Sequence, residues 1–171
     1  MQQRNRSFVI VTILLGLLIS CEPSEKSQIE INKAVVNQWN EIINTGTFDR
    51  MVELFTPDFV RHSQAGGDIQ IQGLEEYKRY QKMILAAFPD EHNTINLMVA
   101  EGDYVALYNT LTATQKGSYG SFPATGKKIT SEYIGICRLE NGKIAEIWVE
   151  WDNLAMLTQL GHFPPPEKSE E

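Results

Sequence analysis

A carboxylate near the carboxyl end of the chain stands where a predicted strand meets a predicted helix. Residues 144–151 alternate in polarity as a strand does, and an apolar run begins at Leu154. Asp152 lies between the two. Burial of a carboxyl group in apolar surroundings raises its pKa, because the charged form is disfavoured, and this suits a general acid or base near neutral pH. Aspartate is also a common helix N-cap, and spacing alone favours that interpretation of Asp152.

The strand before Asp152 has two faces of different composition. One face is uniformly apolar and therefore needs a hydrophobic core against it. It carries Ala145, Ile147, Val149 and Trp151. The other face is mixed and carries Ile144, Glu146, Trp148, Glu150 and Asp152.

Other reactive arrangements lack the spacing that their chemistry requires. His62, His92 and His162 are too scattered along the chain to form a recognised metal-binding motif. The stretch 120–128 has five residues between its glycines where a phosphate loop has about four, and no helix is predicted to follow it. No nucleophile elbow or dinucleotide fingerprint occurs. The sequence therefore predicts neither a metal nor a cofactor.

The elements that would position Asp152 follow an α+β order. Helical periodicity predicts helices over residues 28–45, 49–54 and 74–88. A short strand is expected at 59–62, and from residue 95 the period changes to two, which predicts a four-strand antiparallel meander. We expect a curved antiparallel sheet, covered by about three helices, with a cavity on the order of a few hundred Å³ between the two layers.

The first 20 residues predict a bacterial lipoprotein signal peptide. Arg4 and Arg6 precede the apolar run 8–19, which is too short to span a bilayer comfortably. The run ends in a segment that resembles the lipoprotein box, in which Cys21 would be acylated after cleavage. The predicted location is therefore the bacterial cell envelope, with the protein held at the membrane by a lipid anchor.

The rest of the chain divides into a tether, a domain and a tail. Residues 21–27 are polar and read as a flexible tether, 28–163 form the domain, and the proline-rich and acidic segment 164–171 is predicted to be disordered. The formal net charge is −7, and no cluster of lysine and arginine occurs. This composition excludes a nucleic acid as the expected partner.

Short motifs recur along the chain in a definite order. They are Val60-x-His62, Phe88-Pro89-Asp90, Gly102-Asp103-x-Val105, Thr114-x-x-Gly117, Pro123-x-Thr125-Gly126-Lys127, Asn141-Gly142-Lys143-Ile144, Trp148-x-x-x-Asp152-x-Leu154 and Gln159-Leu160-Gly161. In order and spacing they resemble the SnoaL-like polyketide cyclases, also called ester cyclases. The resemblance covers about residues 30–162.

The resemblance implies a cystatin-like cone of the nuclear-transport-factor kind, commonly oligomeric through its sheet. Characterised cyclases of this family close a ring of a polyketide methyl ester by an intramolecular aldol step, without metal or cofactor. An aspartate inside the cone serves as acid and base, and it corresponds to Asp152. Trp148, four residues earlier on the same face of the strand, is expected to shield this carboxylate from water.

The resemblance also implies where the remaining site residues lie. Gln115 stands where relatives carry a histidine, so it can donate a hydrogen bond to an oxyanion but cannot transfer a proton. Either His62 or Gln115 is predicted to polarise the substrate carbonyl. The predicted lining of the cavity is Trp148, Tyr108, Glu132 and Phe88.

Three functions remain open. The first is cofactor-free acid/base chemistry, an aldol-type ring closure or isomerisation, on a small hydrophobic carbonyl compound. The second is an envelope lipoprotein that binds such a molecule without turnover. The third is a structural or interaction domain, which needs no open cavity at all. A homo-oligomer is compatible with each.

Overall fold

A computed structural model describes residues 24–65 and 69–163 of the chain. The predicted signal peptide, the lipidation site Cys21 and the tail 164–171 lie outside the described residues. Among the described residues, no helix is long and apolar enough to cross a membrane.

The first helix, α1, begins earlier than its apolar pattern predicts. It covers Glu25–Thr45, and the side chain of Ser24 caps it by accepting a hydrogen bond from the Ser27 N–H. The helix therefore includes the last residues assigned to the tether. It ends at Gly46, whose φ of 66° is the left-handed conformation that favours glycine at a C-cap.

The remaining helices are shorter than α1 and pack on the same side of the sheet. A 3₁₀ turn over Phe48–Arg50 leads into α2, Met51–Leu54, and later come α3, Leu74–Ala87, and α4, Asn153–Leu160. Helix α4 gives the domain a fourth helix where about three were predicted.

Six strands form one mixed sheet, with β2 and β3 at its edges. They are β1, Phe55–Ser63; β2, Ile69–Gln72; β3, His92–Glu101; β4, Tyr104–Thr114; β5, Lys128–Glu140; and β6, Lys143–Trp151. The order is β2-β1-β6-β5-β4-β3, in which only the β1–β6 pair is parallel. The predicted α+β class is confirmed, and the predicted meander is β3 to β6. Strand β2 is missing from the prediction, because four residues alternating with glutamine carry little apolar signal.

The core lies between the inner face of the sheet and helices α1 to α3. Phe55 and Phe59 of β1 pack edge to face with ring centroids 4.9 Å apart, and Tyr77 of α3 lies 4.9 Å from Phe59. Each fully buried side chain of this size stabilises the fold by about 1.5–3 kcal/mol relative to exposure. This aromatic cluster fixes α3 above β1 and so sets one wall of the space described below.

Candidate functional site

A partly open cavity of about 130 Å³ lies between the inner face of the sheet and helices α1, α3 and α4. It is smaller than the sequence predicts, because aromatic side chains occupy much of the space. Most of its lining is apolar or aromatic. The lining comprises Trp39, Ile43, Arg61, Tyr77, Tyr80, Gln81, Ile84, Phe88, Glu91, Asn93, Leu111, Ala113, Tyr119, Ile129, Ser131, Tyr133, Val149, Trp151 and Met156.

Arg61 brings a positive charge into this cavity. It lies two residues after Phe59 on β1 and therefore points to the same inner face of the sheet. Its side chain is only 4% exposed. Its guanidinium lies 5.0 Å from the ring centre of Tyr80 and 5.8 Å from that of Trp151. Such stacking stabilises a cation but offers it no hydrogen-bond acceptor.

Glu91 brings a carboxyl group into the same cavity. Burial raises its pKa, and a hydrogen bond from Asn93 Nδ2 to Glu91 Oε1, 2.9 Å long, acts in the opposite direction. Asn93 is itself buried, and its Oδ1 accepts a hydrogen bond from the Tyr133 hydroxyl at 2.9 Å. A held carboxyl group with a raised pKa, inside an aromatic cavity, has the properties of a general acid or base.

The turn before Glu91 is fixed from two sides. The neighbouring Asp90 accepts hydrogen bonds from the backbone N–H of Thr114, at 2.7 Å, and from its hydroxyl, at 2.6 Å. The Glu91 N–H donates to the carbonyl oxygen of Phe88 at 3.1 Å. These bonds join the end of α3 to the end of β4, and they place Glu91 at the edge of the cavity.

Four tyrosines line the cavity, and burial raises the pKa of each of them. For Tyr119 the value is about 12. Tyr80 is acted on by both charged groups of the cavity, since Arg61 lowers its pKa and Glu91 raises it, while burial has the largest effect. All four hydroxyl groups are therefore neutral near pH 7 and can donate a hydrogen bond, although that of Tyr133 already donates to Asn93.

Asp152 lies outside the cavity, contrary to prediction. It is exposed, and its Oδ1 accepts a hydrogen bond from the Ala155 N–H at 2.8 Å as the N-cap of α4. The physical reason is the parity of β6: Trp151 points into the cavity, so the following side chain points away from it. The prediction that Asp152 has dry surroundings is therefore wrong. Its catalytic role stays a prediction, which the observed surroundings do not support.

His62 and Trp148 lie on the outer face of the sheet, away from the cavity. Their rings stack with centroids 5.2 Å apart and an interplanar angle of 10°. The imidazole Nε2 is 2.7 Å from Glu146 Oε1, and Glu146 Oε2 accepts a bond from Arg138 Nε at 3.0 Å. Desolvation raises the pKa of Glu146, but the bonds to His62 and Arg138 outweigh this effect and hold the pKa below its ordinary value. Placing Trp148 in the cavity, and His62 beside a carbonyl there, is thus wrong.

Gln115 is fully buried but does not reach the cavity either. Its Oε1 accepts the Thr125 hydroxyl at 3.0 Å and lies 3.2 Å from His162 Nε2, and its Nε2 donates to the Phe122 carbonyl oxygen at 3.4 Å. The amide therefore joins the loop after β4 to the end of α4, and both of its polar atoms have partners within the protein.

Of the four residues predicted to line the cavity, only Phe88 does so. Tyr108 of β4 and Glu132 of β5 belong to the outer face with Trp148, and the proximity of Glu132 raises the pKa of Tyr108. Sequence reasoning missed Arg61 and Glu91, and it placed Trp151 on the core-facing side of β6 without assigning it to the cavity. The sequence did indicate the position of Arg61, because this residue lies two after Phe59 on a predicted strand and so shares its core-facing side.

The fold and the site together define a class. A mixed sheet covered on one face by helices, with an aromatic cavity between them, is an α+β cone. Among solved structures, the chain resembles AclR of Streptomyces galilaeus, a candidate hydroxylase, with a TM-score of 0.71 and 26% identity over 82% of this chain and 87% of that one. It also resembles IdmH of Streptomyces antibioticus, a candidate polyketide cyclase, with a TM-score of 0.67 and 28% identity over 76% and 98%.

The family follows from the sequence match. The model of the SnoaL-like polyketide cyclases matches residues 33–160, so the chain belongs to this family. The chain is 26% identical over 136 residues to the aklanonic acid methyl ester cyclase DauD of Streptomyces sp. strain C5, covering 78% of this chain and 84% of that protein. The corresponding cyclase DnrD of Streptomyces peucetius is also 26% identical, with 93% of its length covered.

Proposed function

We propose that this protein performs cofactor-free acid/base chemistry of the cyclase type on a small enolisable carbonyl compound bound in the aromatic cavity. The observation that carries the proposal is Glu91, a carboxyl group with a raised pKa that lines the cavity and is held by Asn93. Family membership supports the reaction class, since the two relatives DauD and DnrD are methyl ester cyclases.

The proposed reaction begins with proton transfer to Glu91. Its carboxylate removes a proton from the carbon beside the substrate carbonyl, and the electrons of that C–H bond form the enolate. The neutral hydroxyl of Tyr80 donates a hydrogen bond to the enolate oxygen. Tyr80 is near both charged groups of the cavity, since Arg61 and Glu91 each affect its pKa.

The enolate carbon then forms a bond with a second carbonyl carbon of the same molecule. The resulting alkoxide takes its proton back from the Glu91 carboxylic acid, so the ring closes with no net loss or gain of protons. Protonation of the enolate at another carbon would instead give an isomerisation. Both outcomes need one positioned acid/base group and no cofactor.

Binding without turnover is the second candidate function. It is favoured by Asp152, which caps a helix on the surface, and by Gln115, which is occupied by partners within the protein. In this case the cavity alone would serve the protein, as a receptor for a small hydrophobic molecule at the envelope.

Deuterium exchange separates the two candidates. The probe is phenylacetone in D₂O, and the rate at which its α-protons exchange is followed by proton NMR with and without the purified protein. We expect acceleration by the protein and a loss on the order of a hundred- to ten-thousand-fold in Glu91→Gln, which keeps the acceptor for Asn93 but cannot take a proton.

Glu132→Gln is the matched control, because this carboxylate lies on the outer face of the sheet. It should exchange phenylacetone as the wild type does. Acceleration that survives in Glu91→Gln would contradict the proposed base. Binding of phenylacetone with no acceleration in any form would favour the second candidate.

We further propose that the protein is anchored at the bacterial envelope through a lipid on Cys21. The support is the apolar run 8–19 followed by a lipoprotein-type box. Metabolic labelling with palmitate should mark the wild type and leave Cys21→Ser unlabelled. Equal labelling of both forms would contradict the anchor.

A further inference from the structure

The cavity contains a buried cation that has no anionic partner among the described residues. Arg61 is 4% exposed, none of the ion pairs in residues 24–65 and 69–163 includes it, and its Nη1 has no hydrogen-bond acceptor there. A buried charge without a partner is costly, so such groups normally pair with a counter-ion or mark a functional site.

A second donor beside Arg61 is also unused. The indole Nε1 of Trp151 is buried and has no acceptor among the described residues, and its ring lies 5.8 Å from the Arg61 guanidinium carbon. One oxygen-bearing group bound in the cavity could accept from both of these N–H donors. A carboxylate has the geometry to take a charge-assisted bond from arginine and a second bond from the indole.

The size and lining of the cavity define the rest of the ligand. An apolar cavity of about 150 Å³ holds one benzene molecule. The volume here is about 130 Å³, and aromatic side chains dominate the walls. The enclosed space therefore has room for about one ring, and short substituents would extend through the open side of the cavity. Such an occupant is much smaller than a multi-ring polyketide.

The other charged groups that bear on the site leave this choice in place. Glu91 is the one carboxyl group among the lining residues, and it forms no ion pair with Arg61 within the described part of the chain. Burial raises its pKa, so Glu91 is a weaker counter-ion for Arg61 than an exposed carboxylate would be. The formal net charge of −7 disfavours anions at long range, so affinity must come from contact with Arg61 itself.

We propose that Arg61 and the Trp151 indole bind the carboxylate of a small single-ring aromatic acid, whose other end extends toward Glu91. The substrate of the cyclase-type reaction would then be such an acid with an enolisable carbonyl group. That assignment of a substrate class rests on the proposed function, whereas the binding of the carboxylate does not depend on turnover.

Calorimetric titration with benzoate and its neutral analogue benzamide tests the inference. We expect saturable binding of benzoate to the purified full chain, at least tenfold tighter than that of benzamide. Arg61→Gln should weaken benzoate binding at least tenfold, down to the level of benzamide, and leave benzamide binding within about threefold of its wild-type value. These factors correspond to loss of one charge-assisted hydrogen bond.

Two further variants keep the test decisive. Arg138→Gln changes an arginine on the outer face and should bind benzoate as the wild type does. Arg61→Met fills the position with an apolar chain of similar length; where Arg61→Gln does not fold, Arg61→Met takes its place with the same expectation. Equal affinity for benzoate and benzamide in the wild type, or unchanged benzoate affinity in the folded Arg61 variant, would overturn the proposal.

The benzoate titration and the phenylacetone exchange experiment can fail independently of each other. Preferential benzoate binding together with absent phenylacetone exchange would refute the cyclase-type reaction and retain the carboxylate site. Exchange that depends on Glu91, in a protein that does not distinguish benzoate from benzamide, would refute the carboxylate site alone.

Discussion

At the scale of single residues, Asp152 shows how a plausible catalytic group can have a structural role. Its side chain caps α4 by a 2.8 Å bond to Ala155 and is exposed. Aspartate and asparagine cap helices about equally well, whereas alanine caps poorly. The two roles therefore predict opposite results for the asparagine variant.

We expect Asp152→Asn to keep wild-type stability and wild-type exchange of phenylacetone. Asp152→Ala should lower the free energy of unfolding by about 1 kcal/mol, since the cap is lost. Urea unfolding measures the first quantity, and NMR measures the second. A folded Asp152→Asn protein that has lost exchange would restore the catalytic role.

Glu91 predicts a dependence of stability on pH. Because its pKa is raised in the folded state, the folded protein holds this proton more tightly than the unfolded chain does. The corresponding stabilisation is fully present below the unfolded pKa of about 4.3 and is lost as pH rises through the folded pKa. Glu91→Gln removes this loss, and should therefore be more stable than the wild type near pH 8.

Urea unfolding of both proteins between pH 4 and pH 8 measures this difference. Asp90 contributes with the opposite sign at low pH, because hydrogen bonds from Thr114 lower its pKa, but it is present in both proteins and cancels. Parallel pH profiles for the wild type and Glu91→Gln would contradict the burial of the Glu91 carboxyl group.

At the scale of elements, the cavity depends on the contact between the end of α3 and the loop after β4. The N–H groups of Lys116 and Gly117 both donate to the carbonyl oxygen of Ala87, at 2.8 and 3.0 Å. A Cβ on Gly117 would collide with the carbonyl oxygen of Ala86 and lie 3.1 Å from the Cα of Ala87. Both obstacles are backbone atoms, which cannot rotate away.

Gly117→Ala is therefore expected to cost about 1–3 kcal/mol of stability, as overpacking does elsewhere. It should also weaken benzoate binding, because the end of α3 carries Phe88 and leads to Glu91. Ser118→Ala, one residue further along the exposed loop, should change neither property. Thermal unfolding and calorimetry check both, and a Gly117→Ala protein as stable as Ser118→Ala would show that this contact is looser than described.

At the scale of the whole molecule, the outer face of the sheet carries an uncovered apolar patch. It consists of Leu97, Val99, Tyr104, Ile134 and Ile136, all exposed, with Leu97 at 59% and Ile134 at 57%. The strand register places Leu97 beside Tyr108, and Tyr108 beside Ile134, so the patch is continuous across β3, β4 and β5. Continuous exposed apolar surface of this kind is typical of a protein–protein interface.

We expect the protein to form homo-oligomers through this patch, as the family resemblance implies. Ile134→Lys should shift the purified protein to the monomer, because a charge would be buried in the contact. Thr112→Lys, on the same face of β4 but beyond the patch, should not. Light scattering coupled to size exclusion gives the mass, and a monomeric wild type would refute the expectation.

The sequence by itself determined those features that depend on neighbouring residues. The apolar stripe of α1 and the stop at Gly46 define a helix because three or four residues form one turn. The β5–β6 hairpin follows from Asn141 and Gly142, whose φ values of 51° and 75° these residue types tolerate. Ordered motifs of this local kind were also sufficient to identify the family.

Only the tertiary structure decided which side chains face the cavity. Strand β1 pairs in parallel with β6, more than 80 residues away, and a register shift lies between Arg138 and Leu139 on β5. Side chains alternate along a strand, so these long-range pairings decide that Arg61 and Trp151 point inward while His62, Trp148 and Asp152 do not. Burial, and with it the pKa of Glu91, depends on elements distant in the chain. No local pattern specifies that environment.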